Sequence, residues 1–428
     1  MCKVKILLIV LFVANHFSHA TTENYEEQFP DEKEKGSINN FIAGETKSFL
    51  DKLNKKRGGK NKGPITMEQI RNDKEVKTEN EILIDILNNF SETLKEQNKK
   101  RIGIIEYIEI DKKIYCYKLK IEAEKGIMFT SDTHAEADKV ERIWYFFDKL
   151  KKENKVDKLV FLGDYGDRGK YWTYTYFLLA AMAAKYGEDI LFIRGNHEEI
   201  GIAIEYSGAV SGAIWANPKY ANNCWDKMPV ICEITWKQKK IFCSHGAMPL
   251  NKDDKWLTYE AYNYHSELYF LANWNENIFT EDLKQEIKPS SERGIGYEIP
   301  IKKIFYNMEK NGYDWSIHGH VHKNQCGILK NKNKRVVTVV ANEGYYNSQD
   351  YTFLPAVYIL NNDNPNGIFF NLLQKPNDKI KKLNKKKPKN MEVLNNCVIY
   401  EYDFEKGHHT RKKICCYCDI CEKWRICR

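Results

Sequence analysis

From residue 126 onward, short apolar runs alternate with longer amphipathic stretches. Gly126 to Ser131 reads as a strand and Asp138 to Lys151 as a helix. Lys158 to Leu162 is a strand, Tyr171 to Lys185 a helix and Asp189 to Arg194 a strand. That order is a β-α-β-α-β unit of the parallel-sheet kind. After about residue 228 strands dominate, over 229–235, 240–244, 335–341, 354–361 and 367–373. The pattern predicts an α/β core in which two β-sheets pack together. Upstream, Ile82, Ile86, Phe90 and Leu94 share one face of a helix, which Thr78 and Glu81 would open as a capping box. Runs 102–110 and 113–121 are placed to form a hairpin across Asp111 and Lys112. Residues 21–77, rich in Lys, Glu and Asn, read as a charged, disordered or loosely ordered segment. The predicted organisation is therefore a leader (1–20), that charged segment, a helix-plus-hairpin extension (78–125), a main domain (126–374) and a tail (375–428).

Composition adds to this picture at the two ends. Lys3 and Lys5 precede an apolar run from Ile6 to Ala14, and Ser18 and Ala20 are small residues at cleavage positions. This predicts a secretory signal peptide cut after Ala20, and hence a secreted or secretory-pathway protein. No later stretch approaches the length of a membrane span, so no stable membrane insertion is expected. The 428 residues are 42% hydrophobic, ample for a large core. Net charge is +8, and residues 375–428 hold 15 Lys and Arg against 7 Asp and Glu, a balance that equals the whole excess. Such a run reads as a solvated linker, with contact to anionic surfaces as the alternative. Cys397, Cys415, Cys416, Cys418, Cys421 and Cys427 crowd the same tail. In an oxidising compartment disulfides are the simplest reading; a zinc knuckle using Cys416, Cys418, Cys421 and Cys427, with His408 or His409, is the alternative.

The chemistry sits where the apolar runs end. The first strand runs into Asp132 and His134, the second into Asp164, Asp167 and Arg168, the third into Asn196, His197 and Glu198. Two later strand ends carry His245 and the group His318, His320, His322. Asp132, Asp164 and Asn196 follow one another at intervals of 32 residues. In open α/β sheets ligands bind at the carboxyl ends of strands. Gathering so many buried oxygen and imidazole groups is costly unless their charge and lone pairs are compensated, and divalent metal ions do that.

The ordered set D-x-H, G-D-x-x-D-R-G, G-N-H-E, H-G, G-H-x-H resembles the calcineurin-like metallophosphoesterases, and most nearly an atypical member of the PPP family of Ser/Thr protein phosphatases. Trp274 and the segment Glu292 to Tyr297 resemble the family's second arginine-bearing stretch. The resemblance implies an αββα sandwich of two mixed sheets flanked by helices, with two divalent ions, Mn²⁺ first and Fe or Zn²⁺ as alternatives. It implies Asp164 as the bridge between them, Asp132 and His134 (with His322) at the first ion, and Asn196, His245 and His320 at the second. His197, oriented by Asp167, would be the general acid, and Arg168 and Arg293 would grip phosphate. The implied reaction is phosphate-ester hydrolysis by a dimetal-bound hydroxide, on a phosphoprotein or small phosphate ester; nucleic acid is not an expected partner. The alternatives are a nucleotide or dinucleoside-polyphosphate hydrolase and an inactive binding protein. Departures from the PPP pattern stand out: Ser131 and Ala135 around Asp132, Ala247 after His245, His318 where an arginine is usual, and His322, which completes a G-H-x-H typical of the wider superfamily. Gly166, where the family carries a larger apolar residue, suggests a looser floor. Glu198 is expected to orient a neighbour.

Overall fold

The structure, a computed structural model, describes residues 32–72, 76–100, 105–110, 113–206, 218–251, 271–278, 286–291, 293, 295–321, 327–341, 356–372, 398–403 and 408–413. The leader, His322, the Lys379–Lys389 run and all six tail cysteines lie outside these residues.

Helices α1 (Glu32–Gly58), α2 (Met67–Arg71) and α3 (Val76–Lys100) precede a hairpin of β1 (Ile105–Ile110) and β2 (Lys113–Ala123). The alternating unit follows as β3 (Gly126–Thr130), α4 (Ala137–Lys152), β4 (Lys158–Phe161), α5 (Trp172–Tyr186) and β5 (Ile190–Phe192). Next come α6 (Ile200–Tyr206), α7 (Pro218–Trp225), β6 (Ile231–Trp236), β7 (Lys239–Ser244), β8 (Glu276–Ile278), β9 (Lys288–Pro289) and β10 (Tyr297–Pro300). The described chain ends with α8 (Ile301–Asn311), β11 (Trp315–His318), β12 (Gly327–Asn331), β13 (Lys334–Thr338), β14 (Ala356–Asn361), β15 (Ile368–Asn371), β16 (Val398–Asp403) and β17 (His408–Lys413).

One sheet has the order β15-β14-β3-β4-β5, a second β1-β2-β6-β7-β11-β13-β12-β16-β17, and a small third β8-β10-β9. The period-2 alternation of strands divides the core. Ile127, Phe129, Val160, Leu162, Leu191 and Ile193 point at the second sheet, where they meet Ile234, Ile241 and Ile317. Met128, Leu159, Phe161, Ile190 and Phe192 point the other way, into α4 and α5. On the far side of the second sheet, Phe242 and Val336 pack with Ile304 and Met308 of α8. This is the expected αββα sandwich of mixed sheets.

Three expectations change. Residues 32–58 are a helix, not a loose segment, because Ile38, Ile42, Thr46, Phe49 and Leu53 recur at helical spacing and are all buried. With α3 this helix covers α5, whose residues 172–183 are buried all round. α3 begins at Val76, so Thr78 lies inside the helix and does not cap it. Within the tail, β16 and β17 form an antiparallel pair that joins the second sheet through β12, so that stretch is more than a linker. The predicted hairpin forms with Ile110 opposite Lys113.

Candidate metal centre and phosphate site

The strand ends of both sheets converge. Asp132 and His134 follow β3, Asp164 and Asp167 follow β4, and Asn196 and His197 follow β5; His245 follows β7 and His320 follows β11. The loops are cross-tied by their backbones: the Asp132 amide donates to the Gly163 carbonyl at 3.0 Å, His134 to Asp164 at 3.0 Å and Ala135 to Tyr165 at 2.8 Å. From the second sheet, the Gly319 amide reaches the His245 carbonyl at 2.9 Å, and the His320 amide reaches Asp132 Oδ2 at 3.0 Å. Asp132, His134, Ala135, Asp164, Asp167, Arg168 and His320 all have left-handed φ, between 42° and 63°. Strain of this kind persists where surrounding structure fixes it, and it gathers at ligand-binding loops.

Asp164 lies between two donor sets. Its Oδ2 is 3.5 Å from His134 Nε2, and Asp132 Oδ1 is 3.8 Å from that same nitrogen. Its Oδ1 is 3.2 Å from His245 Nε2. Asn196 Oδ1 then stands 2.8 Å from His245 Nε2 and 3.1 Å from His320 Nδ1. All six of these side chains are buried. Asp164 Oδ2 and Asn196 Nδ2 have no hydrogen-bond partner. Lone pairs crowded this closely, with a bare carboxylate oxygen among them, suit cations, so the residues fit two divalent ions sharing Asp164.

Outer contacts set the tautomers. His245 Nδ1 donates to the Leu162 carbonyl at 2.8 Å, which turns Nε2 toward Asp164 and Asn196. His134 Nδ1 donates to Asp167 Oδ1 at 2.7 Å, with the same effect at the first set. Asp167 Oδ2 accepts from His197 Nδ1, so one carboxylate orients a ligand and the proposed acid together. The two rings stand edge to face, 4.9 Å between centroids.

Electrostatics follow from burial and from the Asp164 charge. Burial lowers His134 to about 4, leaving it neutral and able to ligate. For His245 burial works the same way, but Asp164 overrides it and raises the group to about 9. For Asp164 burial opposes ionisation, yet His245, His197 and His134 hold it well below the usual carboxylate range. Burial raises Asp167 to about 6. The Asp164 charge favours a cation beside it, while burial keeps His134 neutral.

The two arginines expected to grip phosphate, Arg168 and Arg293, flank this centre. Arg168 is exposed and sits 3.0 Å from His197 Nε2. Arg293 donates to the His320 carbonyl at 3.1 Å and pairs with Glu276. Trp274 packs edge to face on His320, 5.7 Å between centroids. His318 is buried, with Nδ1 on the Gly319 carbonyl and Nε2 near Thr338 Oγ1, contacts that hold it within the strand-end framework. Nor is the floor loose at Gly166, where a Cβ would stand 3.0 Å from Tyr176 and 3.1 Å from Trp172, whose rings fill the space. Sequence reading missed Glu276 and Asn275. Asn275 donates to the Met248 and Leu250 carbonyls and accepts from the Tyr297 amide, framing the loop after His245. An acid and an amide beside Trp274 are the only signals, and neither is distinctive.

The fold and donor set agree with the metallophosphoesterase resemblance carried by the motifs. Residues 126–324 match the model of the calcineurin-like phosphoesterase family, which bears out the resemblance carried by the motifs. Over 153 residues the chain is 28% identical to a Caenorhabditis elegans protein named "Putative serine/threonine-protein phosphatase C06A1.3". That alignment covers 34% of this chain, and the chain spans only 38% of the relative. Among solved structures, a protein serine/threonine phosphatase from Saccharomyces cerevisiae is similar with TM-score 0.47 and 16% identity, over 67% of this chain and 84% of the other. A cold-active protein-tyrosine phosphatase of Shewanella is similar with TM-score 0.38 and 14% identity, over 57% and 77%.

Proposed function

We propose that the chain is a secreted, Mn²⁺-dependent phosphomonoesterase that removes phosphate from phosphoserine or phosphothreonine in proteins. The observation that carries the reading is Asp164, one oxygen facing His134 and the other facing His245, with His197 beside it. When bound, two divalent ions at such a centre activate water and neutralise phosphoryl charge. The chain's own residues do the rest. Arg168 leaves His197 to grip an arriving phosphate, and Arg293 takes it from the opposite loop; planar guanidinium groups bind phosphoryl oxygens in pairs. Freed of Arg168, His197 Nε2 carries the proton that the departing serine or threonine alkoxide requires, and Asp167 holds the ring by Nδ1 throughout. The P–O bond to the alcohol breaks as a water oxygen bonds to phosphorus, giving inorganic phosphate and the free hydroxyl.

The leader supports release into the secretory pathway, and the basic tail supports contact with anionic surfaces. Among the described residues no helix is long and apolar enough to cross a membrane. The test is turnover of a phosphoserine peptide, p-nitrophenyl phosphate and a dinucleoside polyphosphate by the purified chain with Mn²⁺. Hydrolysis of the peptide is expected, and Asp164→Asn should reduce it by about 10² or more. Preference for the dinucleoside polyphosphate would overturn the protein-phosphatase reading, and full activity of the variant would overturn the shared-ligand centre. N-terminal sequencing of protein recovered from the medium of expressing eukaryotic cells should start at Thr21.

A further inference from the structure

Glu198, expected to orient a neighbour, is wholly buried against the Asp164 backbone and takes no part in the metal and phosphate roles above. Its Oε2 accepts the Asp164 amide at 2.8 Å and the Gly195 amide at 3.0 Å, and its Oε1 accepts the Tyr165 amide at 3.0 Å. Those three amides belong to two different strand-end loops. The loop after β4 supplies Asp164 and Asp167; the loop after β5 supplies Asn196 and His197. The reverse tie is short as well, since the His197 amide donates to Asp164 Oδ1 at 3.1 Å. Glu198 is fixed from behind, where Arg194 holds its carbonyl through Nε and Asp226 through a 2.9 Å ion pair. No Cβ fits at Gly195, where it would stand 2.3 Å from Asp164 Oδ1 and 2.8 Å from Glu198 Oε2, so the loops meet at closest approach.

We propose that Glu198 is a positioning residue, whose carboxylate staples the loops after β4 and β5 so that Asp164 presents one oxygen to each donor set and His197 stays in line with the leaving group. The inference rests on the metal-centre reading above. Three buried N–H groups converge on one side chain, and both of its oxygens are needed to accept them. A glutamine has one such oxygen, so its amide N–H₂ would face the Tyr165 N–H with no acceptor between them. Residues that orient metal ligands typically alter metal affinity or activity by about 10–100-fold when changed.

The experiment is Mn²⁺ titration of the full chain and of Glu198→Gln, followed by electron paramagnetic resonance of the ion, with kcat, KM and Tm measured alongside. Affinity of the variant should fall by about 10–100-fold and its Mn²⁺ spectrum should change. kcat should fall with it while KM stays near wild type, since neither arginine is touched. Wild-type affinity and kcat in a folded Glu198→Gln would overturn the inference. A wild-type chain that binds no Mn²⁺ would overturn the metal-centre reading instead, before the variant is reached. Should the variant not fold, amide exchange in the wild-type chain decides: the Asp164, Tyr165 and Gly195 amides should exchange slowly, and rapid exchange at all three would overturn the staple.

Discussion

Proton donation is the most testable role assigned to a single side chain. His197 is held by Asp167 through Nδ1, so the proposed proton transfer falls to Nε2, the nitrogen that faces Arg168. For a serine-type alkyl phosphate, His197→Asn should lower kcat by about 10²–10⁴. For p-nitrophenyl phosphate, whose phenolate leaves without needing a proton, the loss should be far smaller; equal losses would place His197 in another role. Gly319 shows how little room the centre leaves. A Cβ there would lie 1.9 Å from Ser131 Oγ and 2.3 Å from Asp132 Oδ2, so Gly319→Ala must displace Ser131 and Asp132, the latter a proposed ligand. Metal analysis of that variant should show a depleted first site, with kcat down by about 10–100-fold. These residues could be read from the sequence because each ligand type follows an apolar run at a strand end. His318 could not be assigned that way, since its neighbour Thr338 comes from another strand. Gly166 misled for a similar reason: the rings that occupy its space belong to α5.

Among the elements, α1 was the least legible. Its apolar stripe is narrow and embedded in Lys, Glu and Asn, so composition masked the spacing of Ile38, Ile42, Phe49 and Leu53. A clue lay in α5, which has no polar face and therefore needs cover on both sides. Ile42→Ala, at a fully buried position, should cost about 2–5 kcal/mol and lower Tm, leaving kcat and KM at low temperature unchanged. A second element-level tie joins α4, β4 and the start of β5. Asp189 accepts from Lys151 and Lys158, each at 2.7 Å. Burial works against its charge, but the two lysines prevail and lower its pKa below 3.8. With the folded value depressed, its contribution is present above the unfolded value and fades as pH falls through the folded one, in the window below about pH 4. Urea unfolding at pH 7 and at successively lower pH should find Asp189→Asn less stable than wild type at pH 7, with the difference shrinking as pH falls through the carboxylate range.

At the scale of the molecule, the αββα order was legible because β3, β4 and β5 are continuous apolar runs and the later strands follow in series. The contribution of β16 and β17 was hidden by the charge and cysteines around them. What matters for function is where the two sheets meet. Asp132, His134, Asp164 and Asn196 come from one sheet, His245 and His320 from the other. Ions held by both sets would therefore fasten the sandwich along its open edge. A ligand that binds only the folded state stabilises it by mass action, by about 2.7 kcal/mol at a hundredfold excess over Kd. Melting of the chain should thus move with free Mn²⁺ and drop on chelation, and Asp164→Asn should lose that dependence. The thermal midpoint becomes a gauge of the assembled donor set, readable before any substrate is known.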